Sequence, residues 1–257
     1  DDVMRRLQQV CPNDPQVWIT LARWHLERDD LEAATAAAAH SRTLAADDAE
    51  TALITCEVAL AREDLTAAEQ TVTQALAAHP HDERMHRAEA LLAIRRGRPA
   101  EAVAAIRAGL AHQPESSGLQ AMLAELLLTQ GDHAAARDVI DALSAAEGRD
   151  TPRVTLLEGW CLVEERQWLR AKHVLEQLRP QVVSADQLRR QVDLLLARCH
   201  GPLGAFDEQL AVCESLLADA PELTAARRTA AAALVALGRP AEALELLERE
   251  PGTAAEE

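Results

Sequence analysis

Small side chains recur along this chain at a fixed interval. Ala22, Cys56, Ala90, Ala124, Gly159, Ala197 and Ala231 form one series. Ala34, Ala68, Ala102, Ala136, Ala171 and Ala243 form a second, broken only by Gln209. Larger apolar residues follow the second series one helical turn later, at Val72, Ile106, Ile140, Leu175, Cys213 and Leu247, although the fifth of these is a cysteine. The intervening segments are rich in Ala, Leu, Glu, Arg and Gln, the strong helix formers. The pattern predicts pairs of short helices that cross closely at the small residues, with the bulkier ones filling the gaps.

The turns between the helices give the period. DDLEAA at 29–34, EDLTAA at 63–68, GRPAEA at 97–102 and GDHAAA at 131–136 follow one another in steps of 34 residues. RQWLRA at 166–171, GAFDEQ at 204–209 and a second GRPAEA at 238–243 continue the series after steps of 35, 38 and 34. One extra residue falls near Thr151 and four near 186–189. The predicted units are 15–48, 49–82, 83–116, 117–150, 152–185, 190–223 and 224–257, forming a single array over 1–257. In each, helix A occupies the first part and helix B begins at position 17 or close to it. Asp30, Asp64 and Asp132 stand where helix B needs an N-cap. Pro99 and Pro240 stand in its first turn, where a missing N–H costs little. Gly97, Gly131, Gly204 and Gly238 close helix A, and Pro80, Pro114 and Pro221 end helix B.

This architecture resembles the tetratricopeptide repeat family over essentially the whole chain. The period, the small residues at positions 8 and 20, the turn at 15–16 and the proline at 32 carry the resemblance. The family's aromatic positions are mostly Ala or Leu here, with Trp18, Trp168 and Phe206 remaining. The resemblance implies an all-α fold, an α-α superhelix. Residues 1–14 read as a remnant helix B, with Val3, Met4, Leu7 and Val10 as its apolar stripe. Neither end shows a polar cap, so the chain reads as part of a longer protein, with self-association through the uncapped ends as one expectation.

Composition narrows the partners. The formal net charge is −16, which disfavours nucleic acid and acidic membrane surfaces. There is no apolar run long enough to insert in a membrane. Lys172 is the sole lysine among many arginines, and the bias toward Ala, Arg, Gly and Pro suggests a GC-rich, bacterial genome. Five widely spaced cysteines without a C-x-x-C pair argue for a reducing, cytoplasmic setting. A removed leader would instead permit a periplasmic one.

No nucleotide-binding, nucleophile-elbow or zinc-protease motif occurs, so no catalytic residue, cofactor or metal is expected. His79, His81 and His86 cluster at a repeat junction and read as a solvated loop in preference to a metal site. Cys199 and Cys213, on two helices of one unit, read as core thiols in preference to a disulfide. The pairs Asp47–Asp48 and Glu164–Glu165 read as solvated faces.

The resemblance also implies a binding groove lined by positions 2, 5, 9, 12 and 13 of helix A. Its polar members here are Arg23, Glu57, Arg84, Arg87, Arg95, Glu125, Arg153, Arg198 and Arg228. Its apolar members are Ile19, Leu26, Leu53, Leu60, Leu91, Ile94, Leu128, Leu156, Trp160, Val163 and Leu194. Trp160 is a large ring on which a peptide side chain could stack. Arg84, Arg87, Arg95 and Arg96 form a basic island suited to an acidic segment or terminal carboxylate. Two plainer readings stand beside these. Position 12 is apolar in nearly every copy, as core packing requires, and isolated helical arginines often only solvate. The Lys/Asn clamp of chaperone-tail binders is replaced by Ile19, Arg23, Leu53 and Glu57. The expected function is a non-catalytic scaffold for a protein or peptide partner. The alternatives are a substrate-presenting arm of a larger enzyme and a periplasmic scaffold for envelope or polysaccharide export.

Overall fold

The computed structural model describes residue 6 and residues 9–148 and 151–248. These are helical throughout, with no strand among the described residues. The helices are α1 (Pro15–Leu26), α2 (Leu31–Leu44), α3 (Ala49–Ala61), α4 (Leu65–Ala78), α5 (Glu83–Arg95), α6 (Pro99–His112) and α7 (Ser117–Gln130). They continue as α8 (His133–Glu147), α9 (Pro152–Glu164), α10 (Trp168–Leu178), α11 (Asp186–His200), α12 (Phe206–Asp219), α13 (Thr224–Ala236) and α14 (Pro240–Glu248). Two compact units, 1–126 and 127–257, divide the chain within α7. Of the remnant stripe, Val3, Met4 and Leu7 lie outside the described residues, and Val10 is exposed.

Five helix starts in the first unit are set by aspartate. Asp30 and Asp64 accept the N–H of Ala33 and Ala67 at the heads of α2 and α4. Asp14, Asp48 and Asp82 cap α1, α3 and α5 in the same way, accepting from Gln16, Thr51 and Arg84. Each such bond satisfies a backbone donor that the helix cannot satisfy itself, worth about 1 kcal/mol. In the second unit Asp132 caps α8 through the N–H of Ala135.

The A-to-B turn is the same at all seven sites. Its first residue is left-handed: Asp29, Glu63, Gly97, Gly131, Arg166, Gly204 and Gly238 all have φ between 59° and 80°. The next residue's N–H reaches back five residues: Asp30 to the His25 carbonyl at 3.0 Å, Asp64 to Ala59 at 2.9 Å, Gln167 to Leu162 at 2.9 Å. This is the six-to-one bond of a Schellman ending. Where glycine occupies the site, no atom lies within 4 Å of where a Cβ would be. Only backbone conformation therefore favours glycine there.

In the first unit the small series does what its spacing predicts. Ala22 and Cys56 share clusters with Ala34 and Ala68, and Ala90 and Ala102 are likewise fully buried. Val72 belongs to one cluster with Met85, Ala88 and Leu92, so the bulky residue of helix B is covered by the following helix A. In the second unit Gly159 is closely packed: a Cβ there would sit 2.6 Å from Leu175 Cδ2, so the leucine would have to shift. Gln209, the break in the alanine series, is buried, and Gly201 makes room for it: a Cβ at Gly201 would lie 2.9 Å from its amide nitrogen.

Two features differ from the sequence pattern. The four extra residues become the first turn of α11, which starts at Asp186 after a 3-10 turn at Arg179–Val182. Arg179 Nε pairs at 2.7 Å with the buried Asp193 of that helix, tying the turn to it. Leu247, aligned with core positions, is 49% exposed. The helix A that covers its counterparts has no equivalent after α14 among the described residues.

Candidate functional site

Three successive A helices place charged and apolar residues around one open pocket in the first unit. Arg23 comes from α1, Leu53, Cys56, Glu57 and Leu60 from α3, and Arg84, Arg87, Ala88 and Leu91 from α5. Its volume is ≈ 260 Å³. Equivalent helix positions repeat every 34 residues, so Arg23, Glu57 and Leu91 fall in register across the three helices. Seven residues expected in the groove, Arg23, Leu53, Glu57, Leu60, Arg84, Arg87 and Leu91, thus line one pocket.

Their charges are not equally available. Arg23 Nε and Glu57 Oε2 are 3.9 Å apart, each about half exposed. Burial pushes the Glu57 carboxyl above its ordinary range, with Arg23 opposing the shift. Arg84 is committed: it pairs with Asp82 at 2.7 Å and with Glu50 at 3.1 Å. The Arg84 guanidinium in turn holds Asp82 below the usual carboxylate range. Arg96 is likewise engaged, with Glu69 at 2.6 Å and the Leu65 carbonyl at 3.0 Å. Half of the basic island is therefore neutralised locally. Arg87 and Arg95 are exposed and have no acidic partner among the described residues. Leu91 and Ile94, on the same helix as both, are 47% and 41% exposed.

The second unit gathers a different pair. Trp160 Nε1 donates to Glu164 Oε1 at 3.0 Å, and Arg198 Nη2 donates to the same oxygen at 2.8 Å. Trp160 is half-buried, and its polar edge is already satisfied. Arg153 and Arg228 are exposed and stand apart, while Glu125, on α7, is half-buried and engaged in the fold.

Several sequence expectations need correction. Ile19, Leu53, Leu128, Leu156 and Val163 are buried. Burial assigns these five to the core, although Leu53 also floors the pocket. Leu26, Leu60 and Leu194 are half-buried, which leaves Leu91 and Ile94 as the exposed members. Glu164 and Glu165 are not solvated acids. Glu165 accepts from Arg137 at 2.7 Å and from Gln167 at 2.7 Å, because α8 and α9 bring them together. The three histidines part company: His81 is exposed in the turn, as expected, and the other two are held by the fold. His86 is buried and its Nε2 meets the Pro80 carbonyl at 3.0 Å, while His79 Nε2 meets the Asp47 carbonyl at 2.6 Å. His81 packs edge-on to His112 with ring centroids 4.6 Å apart. No three His, Cys, Asp or Glu side chains are disposed to hold a metal ion among the described residues.

All five cysteines are free, and four are buried. Burial pushes the thiols of Cys56, Cys161 and Cys199 up to about 11 and that of Cys213 to about 12, so none is a ready nucleophile. No helix among the described residues is long and apolar enough to cross a membrane.

Two family models, both described as tetratricopeptide repeat, match residues 55–108 and 93–161. No curated protein matches the chain significantly. Solved structures match its fold. A tetratricopeptide repeat protein from Parabacteroides merdae superposes with a TM-score of 0.71 at 13% identity, covering 91% of each chain. PilW, a type IV pilus biogenesis factor, gives 0.65 at 18% identity over 83% of this chain and 96% of its own. The Cut9–Hcn1 assembly of the APC/C gives 0.76 at 12% identity over 96% of this chain and 48% of that one. At these identities the likeness concerns the fold alone.

Proposed function

Because the chain belongs to the tetratricopeptide repeat family and shares its all-α superhelical fold, we propose that it is a non-catalytic scaffold whose groove receives a peptide or helix of a partner protein. The supporting observation is the pocket that Arg23, Glu57, Arg84, Arg87 and Leu91 line together. Apolar contact with Leu60 and Leu91 supplies burial, and the unpaired Arg87 supplies orientation through a bidentate bond to a carboxylate. Arg95 and Ile94 extend the same surface along α5. In the second unit Trp160 offers a ring face beside the Glu164-paired Arg198, and Arg153 and Arg228 are separate exposed contacts on α9 and α13. Glu125 is half-buried and already engaged, and is not among the contacts we assign to the partner. A cytoplasmic setting suits the five unbridged thiols.

The test is site-specific capture. A photo-crosslinking amino acid at Leu91 should trap a defined partner in cells, and the charge reversal Arg87→Glu should cut the yield by about tenfold, the cost of one lost charge-assisted contact. Equal trapping from an exposed site on α6, such as Arg107, or an unchanged yield after reversal, would remove the groove from consideration.

A further inference from the structure

The other side of α3 also carries an opening. At 3.6 residues per turn, Thr51, Thr55, Val58 and Arg62 point about half a turn away from Leu53, Glu57 and Leu60. Two adjacent pockets of ≈ 100 and ≈ 210 Å³ lie there, sharing Arg42 and Thr55. The larger is floored by Ala38, Ala39, Val58, Ala59 and Ala67. The cause is compositional. From Ala33 to Ala39, α2 carries nothing larger than threonine, so the space between α2 and α4 is left unfilled.

The rim carries Arg42 and Arg62 beside Asp47, Asp48 and Asp64, and neither arginine is ion-paired among the described residues. Arg42 has no carboxylate partner among the described residues, and Arg62 holds only the Thr35 hydroxyl at 3.1 Å. Two of the nearby acids are already engaged: Asp48 and Asp64 accept backbone N–H groups as N-caps. Asp47 remains at the far end of the smaller pocket. Thr51, fully buried in the lining of that pocket, has a hydroxyl with no hydrogen-bond partner. A buried hydroxyl left unpaired costs stability, and an acceptor entering the pocket would relieve it.

We propose that the α2–α3–α4 face is a second docking site, whose occupant is an extended partner segment bearing a Leu, Ile or Val beside an Asp or Glu. The aliphatic side chain fills the alanine-floored pocket, and the carboxylate takes Arg42 and the Thr51 hydroxyl. This site shares no residue with the Arg23–Arg87 pocket and stands independently of it.

The experiment pans a random linear peptide library displayed on phage against the intact chain. Selected peptides are then synthesised and titrated against four proteins: the parent, Ala39→Trp, Arg42→Glu and Arg87→Glu. Ala39 is exposed, so its replacement fills the pocket without touching the core, and circular dichroism checks each fold. The expected result is an acid-flanked aliphatic consensus whose affinity falls about tenfold in both Ala39→Trp and Arg42→Glu and is unchanged in Arg87→Glu. Peptides that lose affinity only in Arg87→Glu would overturn this site while supporting the first groove. Recovery of no binder, or full affinity for Ala39→Trp, would overturn it outright.

Discussion

Replacing Glu63 by glycine should stabilise this protein, and the structure says by roughly how much. Glu63 sits at φ 59° in the α3–α4 turn, where four of the seven equivalent sites are glycine. Its side chain makes no ion pair or hydrogen bond among the described residues. A left-handed conformation costs an L-residue about 1–2 kcal/mol, and glycine avoids that cost. Glycine also has more freedom to lose from the unfolded chain, which returns about 0.4–1 kcal/mol. The net gain is therefore on the order of 0.5–1 kcal/mol, and Arg166→Gly, at φ 60°, should gain the same. The two sites are remote in sequence and share no partner, so the double variant should add. Gly97→Ala is the mirror experiment. No atom lies within 4 Å of its Cβ position, so any loss reports backbone conformation alone. Equilibrium urea unfolding followed by circular dichroism measures all four variants through their midpoints. Unchanged or lowered midpoints for both glycine variants, with a neutral Gly97→Ala, would refute the left-handed turn as a determinant of stability.

Further outcomes follow from other contacts. Gly159→Ala would push a methyl to 2.6 Å from Leu175 Cδ2, and the overpacking should cost about 1–3 kcal/mol in the same urea assay. Leu175→Ala in that background should recover less than it removes if the clash is not the cause. His200 is buried, and burial lowers its pKa below 6.5. The unfolded chain then binds the extra proton first, so stability is full above the unfolded value and falls as pH drops through it toward the folded one. Urea midpoints across that window should flatten in His200→Gln; an identical slope would show that other groups carry the acid sensitivity.

Much of the architecture was legible because it is local. A cap joins residues two or three apart, the A-to-B turn closes over five, and proline acts on its own backbone, so Asp30, Asp64, Asp132, Pro99 and Gly97 could be placed by pattern. The same logic missed Asp29, Glu63 and Arg166, since no residue type announces a left-handed conformation except glycine. The groove was only partly legible. The family resemblance implied that Arg23, Glu57, Arg84, Arg87 and Leu91 share a side, but could not separate Leu91 from the buried Ile19 or Leu156. That depends on how closely the neighbouring helix approaches.

What the amino-acid order determined alone was the period, the helix pairs and their turns, because these rest on backbone hydrogen bonds and side chains within a few residues. The tertiary structure decided which charges remain free. Arg84 meets Glu50 at a separation of 34 residues, and Arg198 meets Glu164 at the same separation. Such pairs form only when one repeat stacks in register on the next. Stacking consumed Arg84, Arg96 and Arg198, left Arg87, Arg95 and Arg42 open, and covered Val72 while exposing Leu247. Burial and pairing are properties of neighbours brought close by packing, and no single stretch of chain contains them.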